Sequence, residues 1–392
     1  METLKIIYNE LLMSVNTKFV RYLYNQLPWE DPLLLILGAR GVGKTTMMLQ
    51  HIVLQKEQAT SLYVTADNPY FSTHTLFDTA KEFCQMGGRH LYIDEIHKYP
   101  GWARELKMIY DVYHTELKVT VSGSSMIDII HGIEVDLSRR ALPFKLEGLS
   151  FREYLNMSHN ANLSPVSLED ILQGRVVWPR EIGRPLPLFD EYLRRGYYPF
   201  YNSNHYLQRF DSVVSQTLEV DIPHQANLTV STARKLKKLM SVIAQSTPFK
   251  PNYANLGRTL EMNRATVSDI MVYIERSGLL RLLREDDDIM DQFSKVEKVY
   301  LSNTNLCYAL CDNIPDKGML RETFFFSQMA VTHKVAASPV SDFIVDGYTF
   351  EVGGRNKKRK QIADVENAFV VKGDTEYVYQ NNIPLWMFGL NY

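Results

Sequence analysis

Gly38-Ala39-Arg40-Gly41-Val42-Gly43-Lys44-Thr45 fits the pattern G-x-x-x-x-G-K-[ST], a loop whose backbone N–H groups cradle phosphates. Its flanks supply the context this pattern needs. Upstream, Leu33-Leu34-Leu35-Ile36-Leu37 is a short apolar run, as expected for a parallel strand buried on both faces. Downstream, residues 45–54 put Met48, His51 and Ile52 at helical spacing, unbroken by Gly or Pro. Strand, loop and helix in that order predict an α/β domain with a parallel sheet. Glycines let the loop aim its N–H groups at a β-phosphate, and the helix N-terminus adds partial positive charge. The nucleotide-binding segment should run from Gly38 to Thr46. Lys44 should reach the β- and γ-phosphates, and the Thr45 hydroxyl should ligate Mg²⁺. The chain carries no Asn/Thr-Lys-x-Asp guanine-reading motif, which favours adenine and hence ATP.

Residues 89–95, Arg89-His90-Leu91-Tyr92-Ile93-Asp94-Glu95, read as a second buried strand ending in two carboxylates. This is the form of a Walker B segment. Asp94 would hold Mg²⁺ through water, and Glu95 would orient or deprotonate the attacking water. The next strand, residues 117–121, runs into Ser122-Gly123-Ser124-Ser125. Ser124 is the candidate γ-phosphate sensor, with Ser125 close behind; a plain Ser/Gly turn is an equal alternative.

Two further stretches, Asp136-Leu137-Ser138-Arg139-Arg140 and Leu146-Glu147-Gly148-Leu149-Ser150-Phe151-Arg152-Glu153-Tyr154, complete a recognisable pattern. From Leu33 to Tyr154 the chain resembles the prokaryotic AAA-like P-loop ATPases of the STAND/archaeal ATPase group. The resemblance rests on Tyr92-Ile93-Asp94-Glu95-Ile96-His97, on the Tyr99-Pro100-Gly101-Trp102 segment after it, on the Ser-Gly-Ser-Ser turn, and on an arginine ahead of Leu149-Ser150-Phe151-x-Glu153-Tyr154. It implies that Arg140 is a γ-phosphate sensor or an arginine finger, in cis or in trans. A trans finger would require an oligomer. Arg139 stands where that group usually has glycine, so the choice between the two arginines stays open.

Composition bounds the rest. At 392 residues the chain exceeds what one core usually organises. A net charge of −2 supplies no overall field toward DNA or anionic lipid, so any nucleic-acid contact must be a local patch. No apolar run approaches the ~20 residues that span a bilayer, and the N-terminus lacks a basic-then-apolar leader. A cytoplasmic protein without membrane contact is expected. Three cysteines, Cys84, Cys307 and Cys311, make neither a disulfide framework nor a zinc site.

Residues 156–188, rich in Asn, Ser, Pro and Gly, read as an excursion or linker, and 189–222 read as helical. Within the resemblance, Tyr192-Leu193-x-x-Gly196-x-Tyr198-Pro199 opens a helical lid. Residues 253–260, 261–263 and 264–276 read as helix, turn and helix, followed by a strand at 279–283, a winged-helix pattern. Its second helix begins with Arg264, Thr266, Ser268 and Asp269, where a double-stranded DNA reader would face the groove. It has few basic residues, so packing or docking of a protein partner is the alternative. Farther on, Glu322 in a helix, Asp342 in a hairpin and Glu351 on the next strand follow the order of a PD-(D/E)xK nuclease, which the resembled group commonly carries. Those carboxylates would bind Mg²⁺. The expected lysine position is Gly353; Lys357 or Lys358 could swing in, or the cluster 354–360 could simply hold phosphates.

The expected architecture is therefore a P-loop ATPase core (1–160), a linker and helical lid (161–245), a winged helix (246–290) and a restriction-endonuclease-like α/β domain (291–392). The expected function is Mg²⁺-dependent ATP binding and hydrolysis as a regulatory switch. The alternatives are an ATP-gated DNA nuclease in defence, and an ATP-binding signalling scaffold without steady turnover. Glu95→Gln should keep ATP binding but lower turnover by roughly 100-fold or more, the usual contribution of a general base. Phosphate release by the purified variant checks this, and normal turnover removes Glu95 from the mechanism.

Overall fold

The computed structural model describes residues 1–123, 137, 139–225, 228, 230–246, 248–285, 295–311, 313–357 and 359–392. They fall into two compact units, Met1–Glu147 and Gly148–Tyr392.

In the first unit, the apolar run becomes β1 (Leu33–Leu37), buried along its whole length. The chain opens with helix α1 (Glu2–Met13), and the helix after the loop is α2 (Lys44–Gln55). Strands β2 (Ser61–Thr65), β3 (His90–Asp94), β4 (Lys118–Gly123) and β5 (Leu142–Lys145) complete a five-stranded sheet in the order β2-β3-β4-β1-β5. Every pairing is parallel. This is the P-loop NTPase α/β fold. Register matters more than order for function. Leu37 lies opposite Gly123, and Thr65 opposite Asp94, so the loop after β1 and the carboxylate ending β3 emerge at the same edge. Ligands of such sheets bind at that carboxyl edge.

At the other edge, the imidazoles of His51 and His90 are linked through one phenol. His51 Nδ1 lies 2.7 Å from the Tyr92 hydroxyl, and that hydroxyl lies 2.9 Å from His90 Nδ1. His90 Nε2 meets Thr120 Oγ1 at 2.8 Å, and Trp29 stacks on His51 at 3.9 Å. Both histidines are buried.

The second unit is built on a mixed sheet, β12-β11-β10-β9-β8: β8 (Val335–Ala337), β9 (Phe343–Val345), β10 (Tyr348–Gly353), β11 (Ala368–Lys372) and β12 (Asn382–Pro384). The first three run antiparallel and the last two pair parallel. Helix α3 (Lys317–Met329) lays Phe325 against Phe343, Phe350 and Phe388, with ring centroids 4.9–5.2 Å apart. Ahead of these come α4 (Tyr253–Leu260) and α5 (Arg264–Arg276), joined by a three-residue turn, and the antiparallel hairpin of β6 (Leu280–Arg284) and β7 (Val296–Leu301). Leu283 and Tyr300 of that hairpin share the aromatic core of the mixed sheet.

Two stretches differ from their sequence reading. Residues 156–188 are not a loose excursion: Leu168, Ile171 and Leu172 of a short helix are buried in the same core. The helical reading of 189–222 is interrupted once: Pro185–Arg195 is followed, after a break, by a helical run from Tyr206–Gln216 through the π-helical Thr217–Asp221 into Ile222–Gln225. Asn305 organises the break. Its amide accepts from Tyr197 N and the Tyr206 hydroxyl and donates to the carbonyls of Tyr192 and Leu193. Local periodicity cannot reveal a partner about a hundred residues away.

The buried histidine pair makes stability depend on pH. Burial comes first in lowering His51 to about 4, with Glu30 opposing and Lys118 adding; burial, His51 and Lys118 lower His90 to about 2. Glu57 faces His90 at 3.8 Å. Below the ordinary value of 6.5 the unfolded chain takes up protons that the folded histidines refuse. Stability is thus fully present above that value and falls as pH drops toward 4, by up to about 1.4 kcal/mol per pH unit for each histidine. Urea unfolding followed by tryptophan fluorescence at stepwise lower pH should show the decline, with a shallower slope in His51→Gln; equal slopes would take His51 out of this account.

Candidate functional site

The phosphate loop is shaped by close approach. A Cβ on Gly38 would lie 2.3 Å from the Leu146 carbonyl, and Gly43, which begins α2, has a left-handed φ of 102°. The Lys44 ammonium lies on the carbonyls of Gly38 (2.8 Å) and Ala39 (3.1 Å). Thr45 and Thr46 occupy the first turn of α2 on its exposed side. Buried Arg21 donates to the Val42 carbonyl inside the loop and to the Glu147 carbonyl at 2.7 Å. It therefore pins the loop to the segment after β5.

Asp94 is the centre of the site. One carboxylate oxygen accepts from Thr45 Oγ1 at 2.5 Å and from the Tyr63 hydroxyl at 2.7 Å. The other accepts from Ser122 Oγ and from the Glu95 N–H at 3.0 Å. With the side chain 3% exposed, these donors replace the water that burial removes. Burial first, then the Asp94 charge, pushes the Tyr63 phenol far up, so it stays a donor.

Glu95 follows with a φ of 53°, rare for a residue with a side chain. That geometry turns its carboxylate toward Arg40 of the loop (3.7 Å), His97 (3.5 Å) and Lys98 (3.8 Å). Lys98 also pairs with Asp67 at 2.5 Å. The Arg140 guanidinium donates to Asp111 at 2.8 Å and lies over the Tyr110 ring, and Arg139 has a φ of 70°. Ser124 and Ser125 lie outside the described residues.

Thus Gly38, Arg40, Lys44, Thr45, Asp94 and Glu95 come together, while Arg140 is engaged on the helix Trp102–Tyr113. Sequence reasoning missed Arg21, Tyr63 and Ser122. Tyr63 had one available signal, its place in the middle of β2, the strand paired with β3. Arg21 had none, because its partners lie 21 and 126 positions away.

In the second unit, Glu322, Asp342 and Glu351 also converge, but with lysines among them. Lys298 of β7 contacts Glu322 at 3.3 Å and Asp342 at 3.2 Å. The Tyr300 hydroxyl donates to Glu322 at 2.7 Å, and Val352 N–H donates to Asp342 at 2.9 Å. Glu351 is paired with the Lys357 ammonium and the Ser341 hydroxyl. Lys357 runs across Gly353, where a Cβ would lie 2.7 Å from its stem. The glycine at the expected lysine position therefore makes room for a lysine arriving from four residues on. Lys358 lies outside the described residues.

Among the described residues no helix is long and apolar enough to cross a membrane. Residues 30–155 match a family model described as an AAA domain, and residues 186–317 match one described as a domain of unknown function. The uncharacterized protein MJ1637 of Methanocaldococcus jannaschii is 27% identical over 282 residues, which is 67% of this chain and 58% of that protein. The match thus spans little more than half the length of this relative. Among solved structures, the AMPPCP-bound DnaA from Aquifex aeolicus is 16% identical, covering 69% of this chain and 88% of that one, with a TM-score of 0.29. PCH-2 of C. elegans is 14% identical, covering 70% and 66%, with a TM-score of 0.26. Likeness at that level carries no assignment. The strand–loop–helix geometry does for the fold: residues 30–155, the stretch that matches the AAA-domain model, have the P-loop NTPase fold.

Proposed function

We propose that this chain hydrolyses ATP in a Mg²⁺-dependent reaction and uses nucleotide state as a regulatory switch. The observation that carries this reading is the 2.5 Å contact between Thr45 Oγ1 and Asp94, beside a Glu95 carboxylate paired with Arg40 of the same phosphate loop. A hydroxyl and a carboxylate are hard oxygen donors, a set that suits Mg²⁺. Thr45 would ligate the ion and Asp94 would hold it through water; bound there, it would neutralise phosphate charge.

The chain's own residues do the rest. Loop N–H groups and the start of α2 receive the phosphates. Lys44 moves from the Gly38 and Ala39 carbonyls to the β- and γ-phosphate oxygens, exchanging neutral acceptors for charged ones. Glu95 accepts the proton of the attacking water, and Arg40 beside it supplies positive charge where the γ-phosphate leaves. Arg140 would act as sensor or finger after release from Asp111. The switch acts on double-stranded DNA through the start of α5, or on a protein partner through the second unit.

ATP turnover with and without double-stranded DNA, with Lys44→Ala as the blank, tests the proposal. Turnover should vanish with EDTA and fall by about 100-fold or more in Asp94→Asn. Tyr63→Phe removes one of four donors to Asp94 and should cost about tenfold. Turnover that persists in Lys44→Ala or without divalent ion defeats the proposal. Stimulation by DNA identifies a nucleic-acid sensor, and indifference points to a protein partner.

A further inference from the structure

The Glu322–Asp342–Glu351 cluster has the order of a metal-dependent nuclease but not the vacancies of one. A divalent ion needs several oxygens within about 2.0–2.6 Å, with lone pairs facing one point. Here that point is taken. The Lys298 ammonium sits between Glu322 and Asp342 at 3.3 and 3.2 Å, and Lys357 sits on Glu351. Tyr300, Val352 N–H and Ser341 donate to the same three carboxylates. These donors aim positive charge where a metal would have to sit, so the residues present do not fit Mg²⁺.

We infer that Lys298 is the resident cation of the Glu322–Asp342 pair, and that these carboxylates fasten the β6–β7 hairpin to the mixed sheet instead of binding a divalent metal. Lys298 does not belong to the nuclease-like order of residues at all; it arrives from β7. Two residues on, and so on the same face of the strand, Tyr300 is fully buried. Its ring packs on Phe326 (5.4 Å) and Phe343 (5.9 Å), and its hydroxyl donates to Glu322. Withdrawing the ammonium by moving the strand would therefore uncover an aromatic core. The charges agree with a lasting ion pair. Burial alone would lower the Lys298 ammonium, but Glu322 and Asp342 outweigh it and hold it above its ordinary value. Burial, followed by the Asp342 charge, raises the Glu322 carboxyl and so opposes its ionisation, while the Lys298 ammonium and the Tyr300 hydroxyl act against that rise. An added divalent ion would have to displace an ammonium that both carboxylates already hold.

The test is Mn²⁺ bound per chain, read from loss of the free-ion electron paramagnetic resonance signal on the full-length, nucleotide-free protein. The ATPase-site contribution is common to all variants and cancels. The natural chain and Asp342→Asn should bind equal amounts. Lys298→Met should gain one Mn²⁺, and Lys298→Met/Asp342→Asn should lose it again. Loss of one Mn²⁺ from the natural chain on Asp342→Asn overturns the inference, and so does a folded Lys298→Met that gains none. If circular dichroism shows that Lys298→Met does not fold, the comparison of the natural chain with Asp342→Asn decides alone.

Discussion

A buried carboxylate holds the nucleotide site in register. Asp94 ends β3 and accepts from Thr45 on α2, Tyr63 on β2 and Ser122 on β4, so that three neighbouring elements converge on two oxygen atoms. In an apolar strand end an isolated carboxylate would be expensive, and its usual remedy is protonation. Four donors remove that cost and fix the distance from the start of α2 to the end of β3. Any slip between β1 and β3 would break these bonds together. Register and chemistry are thus the same constraint.

Arg21 extends that constraint to the loop. Its guanidinium spans the Val42 and Glu147 carbonyls, tying the phosphate loop to the exit of β5. Gly38 accepts the resulting closeness, since any side chain there would collide with Leu146. Glu95 shows the opposite economy. It stands in left-handed backbone, a conformation that costs of order 1 kcal/mol for a residue with a Cβ, and its carboxylate gains a setting of two cations, Arg40 and Lys98, beside the His97 imidazole.

The second unit uses charge differently. Its core is aromatic, with Phe324, Phe325, Phe343, Phe350 and Phe388 fully buried. The carboxylates at its edge meet two lysines, Lys298 between Glu322 and Asp342 and Lys357 on Glu351, together with hydroxyl and backbone N–H donors. A polar network that is fully satisfied specifies one arrangement of its elements. Here it fixes the hairpin that follows the two helices α4 and α5.

What the sequence determined by itself is local. The phosphate loop and its flanking strand and helix follow from apolar runs, glycine spacing and a terminal Lys-Thr, all within neighbouring residues. The same holds for the helix–turn–helix at 253–276 and the strand ending in Asp94. Periodicity and turn chemistry act over a few residues, so they are legible there. Tertiary structure alone decided the donors around Asp94, the anchoring of the loop by Arg21, the packed state of 156–188 and the break after Arg195. It also decided that the carboxylates at 322, 342 and 351 meet lysines: their order along the chain was legible, but the ammonium from β7 was not. Each of these depends on which distant groups a buried polar atom finds, and only the folded chain settles that.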